Sequence, residues 1–433
     1  MLQPRTRDEV IPFRDAVPRT CSSAMPHSSP FSLRSRIAAV GPGLLLAASG
    51  IGAGDVVVAS VTGMRFGMAL LWAVVLTVGL KFVVTEALAR WQLATGETIA
   101  RAWVTRLPRW IGWLFAAYLA FWTFMVGASL SSACGIAGAS IAGFGTTAQW
   151  GAVHALAAAG LVAGNQHRRL QGVMKALVAA MALCVLGCAV VSDPDPARLL
   201  AGALLPGIPD GAGGQVLALL GGIGGSLTVI CYGYWMRDQG WQGGERLAEA
   251  RADVRLAYVF TGIFGAALIV IATGAGGAGG TGSRLALEVA ARLGDVAGPW
   301  ARTVFLAGFW CTAFAAMLGV WQGVPRIYVD LAEAWKGRLS PAQDRAVFLG
   351  ALGFLAGPPL LLLWQREPVA VVVAFSITGA FVMPFLAGTL LYLNNRRDLM
   401  GPLANGRLGN VALAVSLLAF GAVCAAEIVK SAR

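Results

Sequence analysis

One aspartate lies where a charged side chain is costly. Asp55 ends the glycine-rich run 49–55 (Ser-Gly-Ile-Gly-Ala-Gly-Asp), inside an apolar segment long enough to cross a membrane. An ionised carboxylate at the bilayer centre costs at least about 2.5 kcal/mol on insertion scales, and such residues are usually kept for a function. The carboxylate would be a hard oxygen ligand for a cation, or a group that carries protons. The alternative is an N-cap for a half-helix that starts at Val56, which Ser or Asn would serve without a charge.

A second glycine-rich run, 221–226 (Gly-Gly-Ile-Gly-Gly-Ser), lies in another apolar segment and leads into Thr228 and Cys231. If this segment is unwound, it offers hydroxyls, a thiol and free carbonyls as neighbours for Asp55. The alternative is that Thr228 and Cys231 are small helix residues that bond to their own backbone.

Two further charges lie in the second apolar segment, and both are candidates for ion coupling or for a place along an ion pathway. Glu86 precedes Arg90 by one helical turn, which predicts a structural ion pair near one end of the segment. Lys81 lies deeper. Its side chain would extend to the interface, pair with a carboxylate, or place a positive charge in a cation pathway.

The remaining polar residues exclude several kinds of site. Ser376 and Thr378 stand in an apolar segment that Pro384 would kink, which would free a carbonyl. The three His and seven Cys have no metal-ligand spacing and no CxxC pair, so the cysteines are interpreted as packing residues. No nucleophile, base and orienting group occur together, so the sequence predicts neither an enzyme nor a resident cofactor.

These residues belong to a chain that is 57% hydrophobic and 12% charged over 433 residues, too apolar for a soluble globule. A membrane-spanning helix needs about 20 apolar residues. Eleven such segments are predicted, near 37–65, 67–89, 110–134, 148–164, 170–191, 214–236, 256–273, 297–320, 346–364, 368–393 and 408–426. The fold class is therefore an all-α polytopic membrane protein.

The two glycine-rich runs fall in the first and sixth segments, at matching positions of two five-helix halves. Glycine costs about 1 kcal/mol relative to Ala in a helix interior, so matched clusters predict two broken helices that line a shared cavity. Segments one to five and six to ten start on opposite sides of the membrane, which indicates a five-plus-five inverted repeat, typical of secondary transporters. The alternative is that the glycines form GxxxG contacts between closely packed helices.

Charge and tail composition predict the topology. The net charge is +12, but no nucleic-acid-binding motif is present. Most of the 33 Lys and Arg residues fall in the N-terminal tail and in loops on the same side of the membrane as the tail, which is the pattern of cytoplasmic segments. The prediction is an inner-membrane protein with its N-terminus cytoplasmic and its C-terminus outside. The domains would be a disordered tail at 1–36 and a transporter domain at 37–433, with repeats near 37–191 and 214–393 and an extra helix near 408–426.

The sequence resembles the Nramp family of divalent metal transporters over nearly all of the chain after the tail. The landmarks that carry the resemblance are Gly41-Pro42-Gly43, Leu70-Leu71-Trp72, Ala89-Arg90, Thr95-Gly96-Glu97 and Arg397-Asp398-Leu399-Met400-Gly401. The resemblance implies an eleven-helix, leucine-transporter-like fold, in which broken helices one and six hold a metal ion as the transported substrate, commonly with proton coupling.

The metal motif departs from the family pattern. Gly52-Ala53-Gly54-Asp55 stands where family members usually have Asp-Pro-Gly-Asn, and Val229-Ile230-Cys231 stands where they have Met-Pro-His. Ser376 corresponds to the usual Gln of helix ten. Loss of the soft Met with one carboxylate kept shifts the ligand set toward hard ions such as Mg²⁺, while Cys231 would favour softer metals if it faced the site.

The sequence therefore predicts a secondary transporter for a divalent cation that works by alternating access in the lipid bilayer. The predicted binding residues are Asp55, Gly52, Ala53, Thr228, Val229, Cys231 and Ser376. Two alternatives stay open: a symporter for a small organic solute on the same fold, and a non-transporting membrane sensor, in which Asp55→Ala would alter no flux.

Overall fold

The computed structural model describes residues 41–164, 167–275, 284–364, 379 and 381–431, and these ranges contain helices and loops without strands. The predicted tail at 1–36, and Ser376 and Thr378 in the tenth segment, lie outside the described residues.

In the first half of the chain, the described residues form eight α-helices. They are α1 Pro42–Gly50, α2 Ala53–Phe66, α3 Leu71–Thr95, α4 Ile99–Thr105, α5 Arg109–Ala142, α6 Thr147–Ala163, α7 His167–Val191 and α8 Pro196–Leu204.

The second half repeats this order of long and short helices. They are α9 Gly213–Gly222, α10 Thr228–Asp238, α11 Leu247–Ala275, α12 Arg284–Ala297, α13 Pro299–Lys336, α14 Pro341–Ala356, α15 Val382–Leu393, α16 Arg397–Met400 and α17 Arg407–Ser431.

Both predicted helix breaks are present, and each falls in its glycine-rich run. The first predicted segment consists of α1 and α2, which are separated by residues 51–52, and the sixth consists of α9 and α10, separated by residues 223–227. Seven stretches in the described ranges are long and apolar enough to cross a membrane, and α9 and α15 are shorter apolar helices. The count of eleven spans stays a prediction.

The eighth segment is the one whose predicted end is most in error. The prediction ended it at residue 320, whereas α13 continues to Lys336. Polar and charged residues in its last turns indicated a loop, but these groups find partners on neighbouring helices. Buried Asp330, for example, accepts hydrogen bonds from Thr98 and from Tyr234, the latter at 2.8 Å.

Small residues allow the long helices to pack closely, as is common between membrane helices. At Gly63 of α2, a Cβ would lie 2.3 Å from the Ile269 carbonyl oxygen of α11. At Gly135 of α5, it would lie 2.1 Å from the Thr147 carbonyl oxygen of α6. Large apolar side chains cover the outer surface instead, such as Leu183 at 78% and Leu408 at 83% exposure. A surface of this kind suits contact with lipid tails.

Candidate functional site

Asp55 connects the two helix breaks. Its Oδ2 accepts a hydrogen bond from the Gly52 amide at 2.8 Å, and its Oδ1 accepts one from the Gly224 amide at 2.7 Å. The alternative role predicted for Asp55 needs a correction, because α2 starts at Ala53 and not at Val56. Asp55 is therefore the third residue of the helix and reaches back to its first free amide, a position that also suits a negative charge at the helix N-terminus.

The glycines of the second break allow the two breaks to touch. Gly224 and Gly225 have φ values of +84° and +75°, which L side chains rarely adopt. A Cβ on Gly225 would lie 2.9 Å from the Gly50 Cα. The glycine runs were interpreted either as helix breaks or as close contacts between helices. Both features are present here, because the two breaks contact each other through their backbones.

Lys81 of α3 reaches into the second break from the other side. Its side chain is fully buried, so it does not extend to the interface. Its ammonium group donates to the carbonyl oxygens of Gly221 at 3.4 Å and Gly225 at 2.6 Å, and also to that of Ile223. Asp55 and Lys81 therefore both bind the second break, Asp55 through the Gly224 amide and Lys81 through carbonyl oxygens.

A small cavity lies between the breaks. Its volume is about 40 Å³, which is room for a few waters or a partly hydrated ion. Polar side chains on its wall come from Ser49, Asp55, Ser226 and Thr228, and the backbone of Gly52 and Ala53 also lines it. The apolar part of the wall is formed by Val126, Leu130, Ala316 and Val320.

Thr228 presents an unused polar group to this cavity. Its side chain is 3% exposed, and its Oγ1 has no hydrogen-bond partner among the described residues. Buried hydroxyls are nearly always paired, so an unpaired one on a cavity wall is a candidate ligand for a bound ion or water.

Two predicted ligands do not line the cavity. Val229 and Cys231 are buried inside the helix bundle. The thiol packs against α13, where a Cβ at Gly323 would lie 2.6 Å from Cys231 Sγ. The sequence could not show this, because the first residue of α10 decides which side of the helix each residue occupies.

Glu86 forms the predicted ion pair with Arg90, at 3.3 Å, and a second one with Arg251 of α11, at 2.8 Å. It is absent from the cavity wall. Arg251 precedes the predicted start of the seventh segment at residue 256, so it was expected to lie in a loop.

Sequence reasoning missed a half-buried carboxylate near the start of α1, that of Asp253. Asp253 of α11 accepts hydrogen bonds from the Gly43 amide at 2.6 Å and from the Tyr232 hydroxyl at 2.9 Å. A signal was present: no Lys or Arg stands three or four residues from Asp253 on its helix, so the carboxylate had to find its partner elsewhere.

The similarity to known proteins extends over most of the chain. Residues 43–430 match the model of the family described as natural resistance-associated macrophage protein-like. A divalent metal cation transporter MntH of Yersinia pestis is 27% identical over 390 residues, covering 86% of this chain and 89% of that protein. The MntH of Chromohalobacter salexigens is 28% identical over 391 residues, covering 84% and 85%.

Solved structures show the same fold. A mutant of the Eremococcus coleocola manganese transporter superposes with a TM-score of 0.74 at 14% identity, covering 93% of this chain and 88% of that one. MhsT in complex with L-phenylalanine superposes with a TM-score of 0.54 at 16% identity, covering 88% and 97%. The architecture is the predicted leucine-transporter-like one, and the chain belongs to the natural resistance-associated macrophage protein (Nramp) family.

Proposed function

We propose that this protein is a secondary transporter that carries a divalent metal cation across a membrane by alternating access. The observation that carries the proposal is the position of Asp55. Its buried carboxylate lies on the wall of the cavity between the two helix breaks and accepts a hydrogen bond from each break. Broken helices near the midplane are where transporters of this architecture bind ions. The names of the relatives, which are divalent metal cation transporters, support the same class of substrate.

The side chains on the cavity wall favour a hard, partly hydrated ion. They supply one carboxylate and three hydroxyls, from Asp55, Ser49, Ser226 and Thr228. Within the described ranges, no group of three His, Cys, Asp or Glu side chains is placed to hold a metal ion. Mg²⁺ is typically held through one or two carboxylates while it keeps several waters. With Cys231 off the wall, no soft ligand offsets this preference, so we propose Mg²⁺ as the preferred ion.

The size of the cavity supports an ion over an organic solute. A cavity of about 40 Å³ admits a few waters.

Alternating access needs an end of the molecule that opens and closes. The start of α1 is held by Asp253, which binds the Gly43 amide and the Tyr232 hydroxyl. Two residues after Tyr232 on α10, the Tyr234 hydroxyl donates a hydrogen bond to Asp330 of α13 at 2.8 Å. These bonds tie α1 and α10, which are the cytoplasmic halves of the two broken helices in the predicted topology, to α11 and α13. We propose that they close one side of the pathway and break when it opens.

The location and energetics follow the same proposal. The excess of Lys and Arg on the side of the N-terminus supports an inner-membrane protein with a cytoplasmic N-terminus and an external C-terminus. The family membership supports proton coupling, so an acidic exterior is expected to increase uptake.

The test is ion uptake into proteoliposomes that contain purified protein, comparing Mg²⁺, Mn²⁺ and Ca²⁺ with and without an imposed pH gradient. We expect saturable Mg²⁺ uptake by the wild type. Asp55→Asn keeps the shape of the side chain and removes the charge, and we expect it to lower uptake at least tenfold, because the one carboxylate that the described residues place on the wall is lost.

The matched control is Asp210→Asn, since Asp210 is an exposed turn residue away from the cavity. It should transport like the wild type. Full Mg²⁺, Mn²⁺ and Ca²⁺ uptake by Asp55→Asn would contradict the proposed site. No flux of any of the three ions through well-folded wild-type protein would contradict metal transport and favour a sensor or an organic substrate.

A further inference from the structure

The protein binds the Lys81 ammonium group in the way that it would bind a free cation. Its ammonium group contacts three backbone carbonyl oxygens, that of Gly221 in the last turn of α9 and those of Ile223 and Gly225 in the break. An ammonium group has three N–H donors, so the three carbonyls satisfy it completely. Within the described ranges, no side-chain carboxylate accepts a hydrogen bond from it, and the whole side chain is buried at 0% exposure.

The carbonyls would be an ion site without the lysine. The α9 helix ends at Gly222, so its last carbonyls lack intrahelical partners and carry the negative end of the helix dipole. Unwound carbonyls at the end of a half-helix are the groups that coordinate monovalent ions in transporters with broken helices. Here they converge on one point, and the Lys81 nitrogen occupies it.

The glycines keep this carbonyl cluster in place. Gly224 and Gly225, with positive φ values, turn the chain so that the carbonyls of Ile223 and Gly225 face α3 while the Gly224 amide faces Asp55. The break therefore offers one amide to a fixed anion and two carbonyls to a fixed cation. Neither face requires a free ion.

We propose that the Lys81 ammonium group is a tethered cation that fills a site for a small monovalent cation, formed by the carbonyls of Gly221, Ile223 and Gly225. The protein thus carries as a side chain the charge that would otherwise come from a bound Na⁺, K⁺ or ammonium ion. One consequence, which rests on the proposed function, is that the transported ion cannot use these carbonyls and is held from the Asp55 side alone.

The experiment removes the tether and supplies a free ion. Lys81→Ala would leave the three carbonyls facing an empty space of about the size of the lost side chain. Thermal unfolding of purified protein is measured in NaCl, KCl, ammonium chloride and methylammonium chloride, against N-methylglucamine chloride at equal ionic strength. N-methylglucamine is too large for the site, so it controls for charge screening. No divalent ion is present, and flux is not measured.

We expect Lys81→Ala to melt below the wild type in N-methylglucamine, and at least one small cation to raise its melting temperature saturably by about 3 °C or more. The wild type should show no such response. Thr77→Ala is the matched control, since Thr77 is equally buried one turn earlier on α3 and bonds only to its own helix, at the Ala73 carbonyl. It should respond to no cation.

Lys81→Met separates the charge from the volume. Its side chain keeps most of the length of lysine and fills the space, so we expect a lowered melting temperature without a cation response. Equal melting of Lys81→Ala in all five salts would overturn the proposal, and so would failure to recover folded Lys81→Ala in every small-cation buffer. A cation response in Lys81→Ala would uphold the tethered cation even if the wild type transported no metal.

Discussion

At the scale of single residues, the cavity combines a satisfied anion with an unsatisfied hydroxyl. Both oxygens of Asp55 already accept a backbone hydrogen bond, and each retains a further lone pair for a ligand. Thr228 Oγ1 has no hydrogen-bond partner among the residues that the structure describes. A buried hydroxyl left unpaired costs about 1–3 kcal/mol, so the fold bears this cost at a position that faces the cavity.

This cost leads to a prediction in which stability and function change in opposite directions. Thr228→Val replaces the hydroxyl by a methyl group of similar volume. We expect unfolding to require up to about 1 kcal/mol more free energy, because the unpaired hydroxyl is removed. We expect the KM for Mg²⁺ uptake to rise several-fold, because a ligand is lost. Thermal unfolding and uptake in proteoliposomes measure the two effects on the same preparation.

The control for this variant is Thr261→Val. Thr261 is also 3% exposed, but its hydroxyl donates to the Ala257 carbonyl of its own helix at 2.9 Å, and it is absent from the cavity wall. It should leave the KM for Mg²⁺ unchanged. A Thr228→Val protein with the KM of the wild type would show that Thr228 is an ordinary helix residue.

At the scale of elements, the two broken helices depend on glycine for two separate reasons. Gly224 and Gly225 adopt left-handed backbone conformations, whereas Gly50 is needed because the second break approaches its backbone closely. The runs look alike in sequence, but only the second has positive φ values at its centre.

Gly225→Ala is predicted to damage the element that holds both the anion and the cation. A Cβ would lie 2.7 Å from Thr228 Oγ1 and 2.9 Å from the Gly50 Cα, in addition to the cost of a left-handed Ala, about 1–2 kcal/mol. We expect a clear fall in melting temperature and in uptake, measured by thermal unfolding and flux. In Gly79→Ala, a new Cβ meets no atom within 4 Å on α3, so this control should be neutral or slightly stabilising.

The sequence was sufficient for elements whose signal is local. The glycine runs predicted both breaks, because glycine at high density is incompatible with a strong lipid-facing helix. It was insufficient where a polar group is satisfied by a distant helix. The extension of α13 beyond residue 320, the binding of Asp253 to Gly43 and the second ion pair of Glu86 all depend on such contacts.

The candidate site divides along the same line. Asp55 and Thr228 were predicted and lie on the cavity wall, because each stands next to a break. Val229 was predicted by correspondence with a family motif, and Cys231 by that correspondence and as a thiol of the expected unwound segment. Both lie off the wall, since neither argument fixes the helix face. For Lys81, the sequence offered three environments. The carbonyls that bind it belong to a segment 140 to 144 residues away in the chain, which sequence alone could not connect to it.

At the scale of the whole molecule, the two broken helices meet at their breaks, and the residues there differ from the usual family motif. The shared fold with the Eremococcus coleocola manganese transporter, at 14% identity, shows that the architecture persists while the sequence changes. Among the residues that the structure describes, the wall has one carboxylate and no sulfur. The central claim is that this cavity, next to Asp55, holds the transported ion.

Anomalous X-ray diffraction from crystals soaked in Mn²⁺ tests that claim most directly, because Mn²⁺ prefers the same oxygen ligands as Mg²⁺ and scatters anomalously. We predict a peak between the two breaks, within about 2.5 Å of an Asp55 oxygen or one bridging water away. The peak should be absent from crystals of Asp55→Asn protein. An ordered Mn²⁺ peak elsewhere in the helix bundle that survives in Asp55→Asn, with none beside Asp55 in the wild type, would contradict the account.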